Sequence, residues 1–486
     1  MDYILSFCTL TLILNLLIVI GISVRVIMKR PSPGTAFCWL FIVASFPFGG
    51  LILYLLIGDR RLELSRKKRF DILHADFKRI SKMIPRDLIE VDWSRHPTAA
   101  QAMDRLGHRM TGYPSVQGSR FKMYSETEEI LDAIARDVDG AQSSVLMEFY
   151  IWNVGGKADD VLSAVIRASE RGVHCRLLID CLGASKWWKS EQPQQLRDSG
   201  VQLCRALPVG LFRTLTSRND LRMHRKIVIV DSQIAWTGSM NMVDPAFFKQ
   251  DAGFGRWIDA MARLQGSAVV PLTATMLGDW SIETGESIED LLKSMQLGSV
   301  RLDGSTDIQV VPSGPGQTND GLLQMLLTMI HAAQDELVLT TPYLVPDDSL
   351  LKALRGAAAR GVRVILIVPK KVDSLMTRYA SRSYYDDLMD IGVEIFLYTG
   401  GLLHTKSITV DGRMSMFGTV NLDMRSLWLN YEVSLFVYCQ EFSHQLRALQ
   451  QTYIDCAERL DSTLWSKRSF SIKMLENTLH LMSPLL

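Results

Sequence analysis

The chain has 486 residues, more than one hydrophobic core usually serves, so two domain-sized units plus an appendage are expected. Its 53 basic and 52 acidic residues leave a net charge of +1, which excludes the general cationic field that gathers nucleic acid; any anion must be bound locally. Seven cysteines, scattered and without a Cys-x-x-Cys pair, fit reduced packing residues in a reducing compartment, and a metal site at His174, Cys175 and Cys181 lacks its remaining ligands.

In chain order, Tyr3 to Val24 is an almost unbroken apolar run and Thr35 to Ile57 is a second. Each is long enough for a hydrocarbon core that needs about 20 helical residues, so residues 1–60 are expected to form a two-helix transmembrane hairpin. A secretory signal fits less well, because the first run has no basic leader and no small-x-small cleavage site and a second apolar run comes directly after it. Arg60, Arg61, Arg66, Lys67, Lys68 and Arg69 crowd the end of the second run, which places the remainder of the chain in the cytoplasm; Arg25, Lys29 and Arg30 in the short connection oppose that orientation.

Residues 61–113 are charged and mixed and are expected to be a helical connector. From Ser115 onward strands alternate with helices. Ser144 to Trp152 is strand-like, Ala158 to Arg171 has helical spacing and stops at Gly172, and Val173 to Asp180 is again strand-like. Glu336 to Leu344, Asp347 to Arg360 with Gly361, and Val362 to Pro369 repeat that β-α-β order. The fold class expected is therefore α/β: two similar halves, 114–300 and 301–486, each a mixed sheet flanked by helices.

The chemistry concentrates in a repeated motif. His224-Arg225-Lys226 with Asp231 reads His-x-Lys-x4-Asp, and so does His404-Thr405-Lys406 with Asp411. Each is followed by a small polar signature, Gly238-Ser239-Met240-Asn241 in the first and Gly418-Thr419-Val420-Asn421 in the second, and matching residues keep an offset of 404 − 224 = 180. Each motif opens an apolar strand, and side chains alternate along a strand, so histidine and lysine share a face. A lysine charge completed by hydroxyl and amide donors makes an anion cage, with phosphate the fitting anion. Two such half-sites set two histidines on either side of one phosphorus, one to attack and one to protonate the leaving oxygen, with no metal or other cofactor required. A lone His-x-Lys would be an ordinary packed histidine. Two copies with the same trailing signature are not, and the other seven histidines have no such setting.

These motifs resemble those of the phospholipase D superfamily, and over its whole length the chain is similar to the bacterial cardiolipin synthases of that superfamily. Arg30-Pro31, Thr35, Trp39, Pro47, Gly49, Tyr54 and Gly58 in the hairpin, Glu148 to Trp152, Gly238 to Asp244 and Gly401 to Glu432 carry the likeness. The resemblance implies a phosphatidyltransferase of the bacterial inner membrane that joins two phosphatidylglycerols into cardiolipin and releases glycerol through a phosphohistidine. Its catalytic motif residues are His224, Lys226, Asp231, His404, Lys406 and Asp411. Within it, His224 and His404 act as nucleophile and general acid/base, with His224 favoured as the attacker by superfamily habit. Lys226, Lys406, Asn241 and Asn421 bind phosphate. Asp231 and Asp411 are expected to hold strand-end architecture. An acidic residue ten or eleven positions past each asparagine, here Asp251 and Glu432, orients a histidine. Thr419 stands where the first half has Ser239, keeping the hydroxyl.

The same chemistry serves lipases, lipid synthases and nucleases. The hairpin and the balanced charge favour phosphatidylglycerol and bilayer lipid over nucleic acid as partners; oligomeric state is not readable. Lys186-Trp187-Trp188-Lys189 fits an interfacial loop or ordinary core packing. Ile472, Leu475, Leu479 and Met482, with Lys467, Arg468 and Lys473 nearby, fit an interfacial helix or a packed terminal one. A hydrolase of the same superfamily and a membrane scaffold with relic motifs are the alternatives, separated by whether phosphatidic acid, cleaved oligonucleotide or no product forms.

Overall fold

A computed structural model describes residues 2–31, 33–58, 91–210, 220–249, 253–294, 303–316, 320–481 and 483. The chain divides into two units, residues 1–67 with 209–220, and residues 68–208 with 221–486.

The first unit begins with the helix Asp2–Lys29, of which Thr9–Lys29 is long and apolar enough to cross a membrane. Its leucines at 10, 12, 16 and 17 are more than half exposed, an arrangement that lipid rather than water would favour. The second apolar run is not one helix. It is divided into Pro33–Ser45 and Pro47–Leu53, followed by a wide helical turn at Tyr54–Gly58. Pro47 has no N–H to continue the preceding helix and forces Phe46 out of helical geometry, to φ −138° and ψ 74°. Thirteen residues at 1.5 Å each reach about 20 Å, short of a ~30 Å hydrocarbon core, so among the described residues one helix, not two, passes the length test. The pieces pack through Ile22, Val26, Val43 and Tyr54, with Trp39 edge-on to Tyr54. Gly50 is required there, since a Cβ would lie 2.8 Å from the Val43 backbone.

In the second unit the repeat is visible strand by strand. In the first half the neighbouring strands run Val116–Tyr124, Met261–Gly266, Ile234–Gly238, Ile227–Val230, Ser144–Phe149, His174–Asp180, Gln202–Ala206. In the second they run Thr306–Ser313, Asn430–Val437, Met414–Gly418, Ser407–Val410, Glu336–Thr340, Arg363–Pro369, Glu394–Tyr398, with Ala457–Arg459 added at the edge. The last three common strands of each half are parallel, as their helical crossovers demand, and the others antiparallel. Val116–Tyr124 pairs antiparallel with Thr306–Ser313, so the two halves share one continuous sheet.

The helices Lys157–Glu170 and Asp348–Ala359 lie where the spacing places them, and each is released into its next strand by a glycine, Gly172 and Gly361, at φ 89° and 88°. Of the connector, residues 61–90 lie outside the described residues. Its last part is the helix Thr98–Thr111, whose Ala100, Met103 and Met110 belong to the second half's core beside Leu322 and Leu326. Residue 300, the expected boundary, lies outside the described residues, between the helix Ile288–Ser294 and the strand Thr306–Ser313.

Trp187 and Trp188 are core residues. Trp187 stacks on Trp152 at 5.5 Å and donates to Gln192, Trp188 donates to the Asp180 carbonyl, and only the flanking lysines reach solvent. Those two indole bonds decide between loop and core, because buried Trp N–H groups need partners. The terminal helix Phe470–His480 is packed on one side, through Leu479 and through buried Glu476 paired with Arg382 and Arg468, and leaves Phe470, Met474 and Leu475 exposed. Met482 lies outside the described residues.

Candidate active site

The site forms where the halves exchange short strands. Arg222–Met223 runs parallel to Asn430–Tyr431, and Leu402–Leu403 runs parallel to Trp257–Ile258. In consequence His224 N donates to the Tyr431 carbonyl at 2.9 Å and His404 N to the Ile258 carbonyl at 2.8 Å. Each histidine is thereby anchored beside the other half's acid. His224 Nδ1 lies 2.9 and 2.8 Å from the two oxygens of Glu432, and His404 Nδ1 lies 2.7 Å from Asp259 Oδ1.

The signature hydroxyls serve those acids. Ser239 Oγ donates to Asp259 at 2.6 Å and accepts from Ala260 N at 3.0 Å; Thr419 Oγ1 donates to Glu432 at 2.5 Å and accepts from Val433 N at 2.9 Å. They brace the histidine partners instead of lining an anion cage. Ser239 and Thr419 make matching bonds.

Asp251 lies outside the described residues. The place beside His404 is filled by Asp259, eighteen residues past Asn241, which a fixed spacing does not reach. The first half holds seven more residues than the second between asparagine and acid: 259 − 241 = 18 against 432 − 421 = 11. The alternating segment Trp257 to Leu264, an acid at the head of an apolar strand, is the signal that could have found it.

Lys226 and Lys406 are fully buried, each donating to the carbonyl of its own motif histidine, Lys226 at 2.5 Å. An ammonium has three hydrogens, so further donors remain for substrate. Asn241 accepts from Ile151 N at 3.1 Å through Oδ1, while its buried Nδ2 has no hydrogen-bond partner among the described residues, a donor that a phosphate oxygen would satisfy. Asn421 instead uses its amide on Asp423. Asp231 and Asp411 sit at the far ends of the motif strands, at φ 52° and 51°. Asp231 accepts from Gln142, Ser143 and Ser144 N and Asp411 from Gln334, Asp335 and Glu336 N, at 2.7–3.0 Å. They close the turn that enters the adjacent strand and are distant from the histidines, which supports the architectural expectation over a catalytic one.

Two aromatic rings cover the imidazoles: Tyr150 edge-on to His224 at 5.1 Å and Trp257 tilted on His404 at 4.5 Å. Neither stands out individually in the sequence.

Burial sets the protonation. Taking His224 out of water pushes it down to about 4 against the pull of Glu432, and His404 is lowered by burial and by Lys406. Burial would raise Glu432 and Asp259, but the neighbouring histidines and lysines hold both below the ordinary carboxylate range. The state common to all four groups is two carboxylates accepting from Nδ1–H of two neutral imidazoles, which leaves each Nε2 lone pair available. Burial also brings Lys226 down to about 8 and Lys406 to about 7.

Two neutral, oriented imidazoles facing one buried ammonium pair define a phosphodiester-transfer enzyme of the phospholipase D type. A profile described as "Cardiolipin synthase, PLD-like domain" matches residues 134–253 and 326–452. Cardiolipin synthase A of Yersinia pseudotuberculosis serotype O:3 (strain YPIII) is 41% identical over 471 residues, covering 97% of this chain and 96% of that one. The protein of the same name from Erwinia tasmaniensis is 40% identical over 470 residues with the same coverage. The crystal structure of phosphatidylserine synthase from Haemophilus influenzae Rd KW20 superposes with a TM-score of 0.61 at 15% identity, covering 79% of this chain and 100% of that one, and shares the fold. The chain belongs to the cardiolipin synthase family of the phospholipase D superfamily.

Proposed function

We propose that the protein transfers the phosphatidyl group of one phosphatidylglycerol to the terminal hydroxyl of a second, forming cardiolipin and glycerol. The observation that carries this is the crossed pairing of His224 with Glu432 and His404 with Asp259, together with relatives at 40–41% identity that are cardiolipin synthases.

In the first step Nε2 of one histidine attacks the phosphorus. A P–N bond forms, the P–O bond to glycerol breaks, and the departing oxygen takes the Nε2 proton of the other histidine, which leaves the neutral resting state by taking up a proton and enters this step as an imidazolium countered by its carboxylate. In the second step the acceptor hydroxyl gives its proton back to that same histidine as its oxygen displaces the first, so the P–N bond breaks and both imidazoles return to their starting state. Lys226, Lys406 and Asn241 hold the non-bridging oxygens as charge builds. Glu432 and Asp259 stabilise whichever imidazole becomes cationic, and Ser239 and Thr419 fix those carboxylates. The residues 114–300 and 301–486 act as two halves of one catalytic body.

The first sixty residues hold the enzyme in the bacterial inner membrane through the spanning helix Thr9–Lys29, with the second run broken at Pro47, and the body lies in the cytoplasm. Protease protection and cysteine labelling on either side of inverted vesicles test that placement. The reaction itself is tested with purified enzyme in phosphatidylglycerol micelles. Diphosphatidylglycerol and stoichiometric glycerol are expected, and none from His224→Ala or His404→Ala. Phosphatidic acid as the main product, or activity surviving both substitutions, would overturn the assignment.

A further inference from the structure

The two halves repeat the histidine, lysine, hydroxyl and asparagine, but the rim around them does not repeat. Two residues before His224 stands Arg222, about 7 Å away along an extended strand and on the same face by alternation. Four residues past Asn421, in the first turn of the helix Met424–Trp428, stands Arg425. Both lie near Tyr150: Arg222 hydrogen-bonds its hydroxyl, Arg425 lies within its electrostatic reach, and the Tyr150 ring lies edge-on to His224 at 5.1 Å. Applying the repeat offset of 180, the counterparts are Leu402 for Arg222 and Pro245 for Arg425. The opposite flank is accordingly apolar, with Leu402 fully buried against Phe254 and Trp257, the ring that covers His404.

The cationic flank is half-buried and has acidic neighbours. Asp180 lies beside Arg222 and is also engaged by the backbone N–H groups of Leu182, Gly183 and Met223. Asp423 lies beside Arg425, caps Ser426 N and is pushed up to about 6 by burial. Lys226 lies 5.6 Å above the Tyr150 ring.

A symmetric site is enough to hold one phosphorus between two histidines, so the unrepeated arginines answer to something the two half-reactions do not share. In the chemistry proposed above that is the acceptor. The leaving glycerol is neutral, whereas the incoming alcohol carries its own phosphate, joined to the reacting oxygen through a single glycerol. We propose that Arg222 and Arg425, both near Tyr150, bind the phosphate of the acceptor phospholipid and so select an anionic lipid alcohol over water and neutral alcohols. Guanidinium groups suit this task because their planar fork matches two phosphate oxygens at once. Lys370 and Lys371, on a cleft of about 250 Å3 with Phe254 and Gly401 on the other flank, suit it less: both are exposed and Lys370 is paired with Glu458 at 2.6 Å.

The inference rests on phosphatidylglycerol being the acceptor, and the test separates the two. Phosphatidylglycerol micelles are supplied with and without ethanol, and cardiolipin, phosphatidylethanol and phosphatidic acid are quantified for the full-length wild type, Arg222→Gln, Arg425→Gln, the double variant, Arg425→Lys and Lys371→Gln. The double variant is expected to lose cardiolipin formation about a hundredfold, while phosphatidylethanol falls less than tenfold and the phosphatidic acid fraction rises; Arg425→Lys recovers part of the loss. Equal loss of cardiolipin and phosphatidylethanol would reduce the arginines to supports for Tyr150 and His224, and overturn the proposal. So would a selective loss in Lys371→Gln, or full cardiolipin synthesis in the double variant. A wild type that makes phosphatidylethanol but no cardiolipin defeats the assigned reaction itself, before the arginines enter.

Discussion

Glu432→Gln isolates the charge that one half lends to the other. The carboxylate is completely buried and receives Nδ1–H of His224, the Thr419 hydroxyl and Nδ2–H of Asn430 at 2.5–3.2 Å, three donors for roughly four acceptor positions. A glutamine keeps the volume but turns one oxygen into an NH2 group, so one donor must face another donor. If that donor is Thr419, its hydroxyl can rotate. If it is Nδ1, the imidazole must shift its proton to Nε2, the nitrogen required to attack or accept a proton. The counter-charge for an imidazolium is lost in either case. General acid–base contributions of about 10²–10⁴ are at stake, or roughly 3–5 kcal/mol of barrier. The fold does not share the loss, because the substitution also removes the desolvation cost of a buried carboxylate, several kcal/mol for an isolated ion. Cardiolipin formation from phosphatidylglycerol micelles is therefore expected to fall about a thousandfold, with Tm equal to or above wild type in the same detergent. Activity within tenfold of wild type would refute the orienting role, and a Tm collapse matching the loss would refute the separation of catalysis from stability.

Asp231→Ala and Asp411→Ala each strand three backbone N–H groups and put an alanine in a left-handed turn, which costs about 2–4 kcal/mol. Lower Tm with activity kept within tenfold at permissive temperature is expected; activity loss without Tm loss would make them catalytic. Lys406 and Lys226, at about 7 and 8, lose charge as pH rises through that range, so kcat/KM should fall there. Their folded values lie below the usual 10.5, so from 7 to 10.5 the unfolded chain holds more protons and these groups' contribution to stability rises with pH. A Tm advantage of Lys406→Met over wild type that shrinks from pH 6 to pH 10 checks the sign; a constant or growing gap contradicts it. Glu148 is buried without a hydrogen-bond partner for its carboxyl among the described residues, and burial raises it from 4.5 to about 7 despite Arg225 and Lys226. Between those values the unfolded chain is ionised and the folded one protonated, so stability falls by roughly 3 kcal/mol as pH rises across the window. Glu148→Gln should raise Tm at pH 8 and leave it nearly unchanged at pH 5, by calorimetry; the reverse order contradicts the assignment.

The repeat was legible in the sequence because motif strand, signature and β-α-β unit are rigid local elements. Apolar runs such as Ile227 to Val230 and glycine stops such as Gly172 need no distant partner to declare themselves. The acid beside His404 was not legible by counting, because Asp259 follows a loop seven residues longer than its counterpart, and loops absorb insertions that strands do not. Two tryptophans between lysines looked interfacial or packed with equal cause; the deciding facts, Gln192 and the Asp180 carbonyl as indole acceptors, are tertiary. The second membrane run was apolar enough for a span, but Pro47 divides it, and hydropathy does not register a missing N–H.

The crossed acids make each half depend on the other. A half carrying His224, Lys226 and Asp259 holds a histidine without its carboxylate and a carboxylate without its histidine, both in positions that bury them. Removing the partner half would leave each with desolvation that nothing offsets. The shared sheet across Val116–Tyr124 and Thr306–Ser313 then does for the site what a linker could not, fixing the two strand exchanges at once. Within that frame the residues that perform two chemically identical displacements are free to repeat, and they do. Those at the rim face two different alcohols, a departing glycerol and an incoming lipid, and there the repeat gives way to arginine on one flank and to leucine and tryptophan on the other.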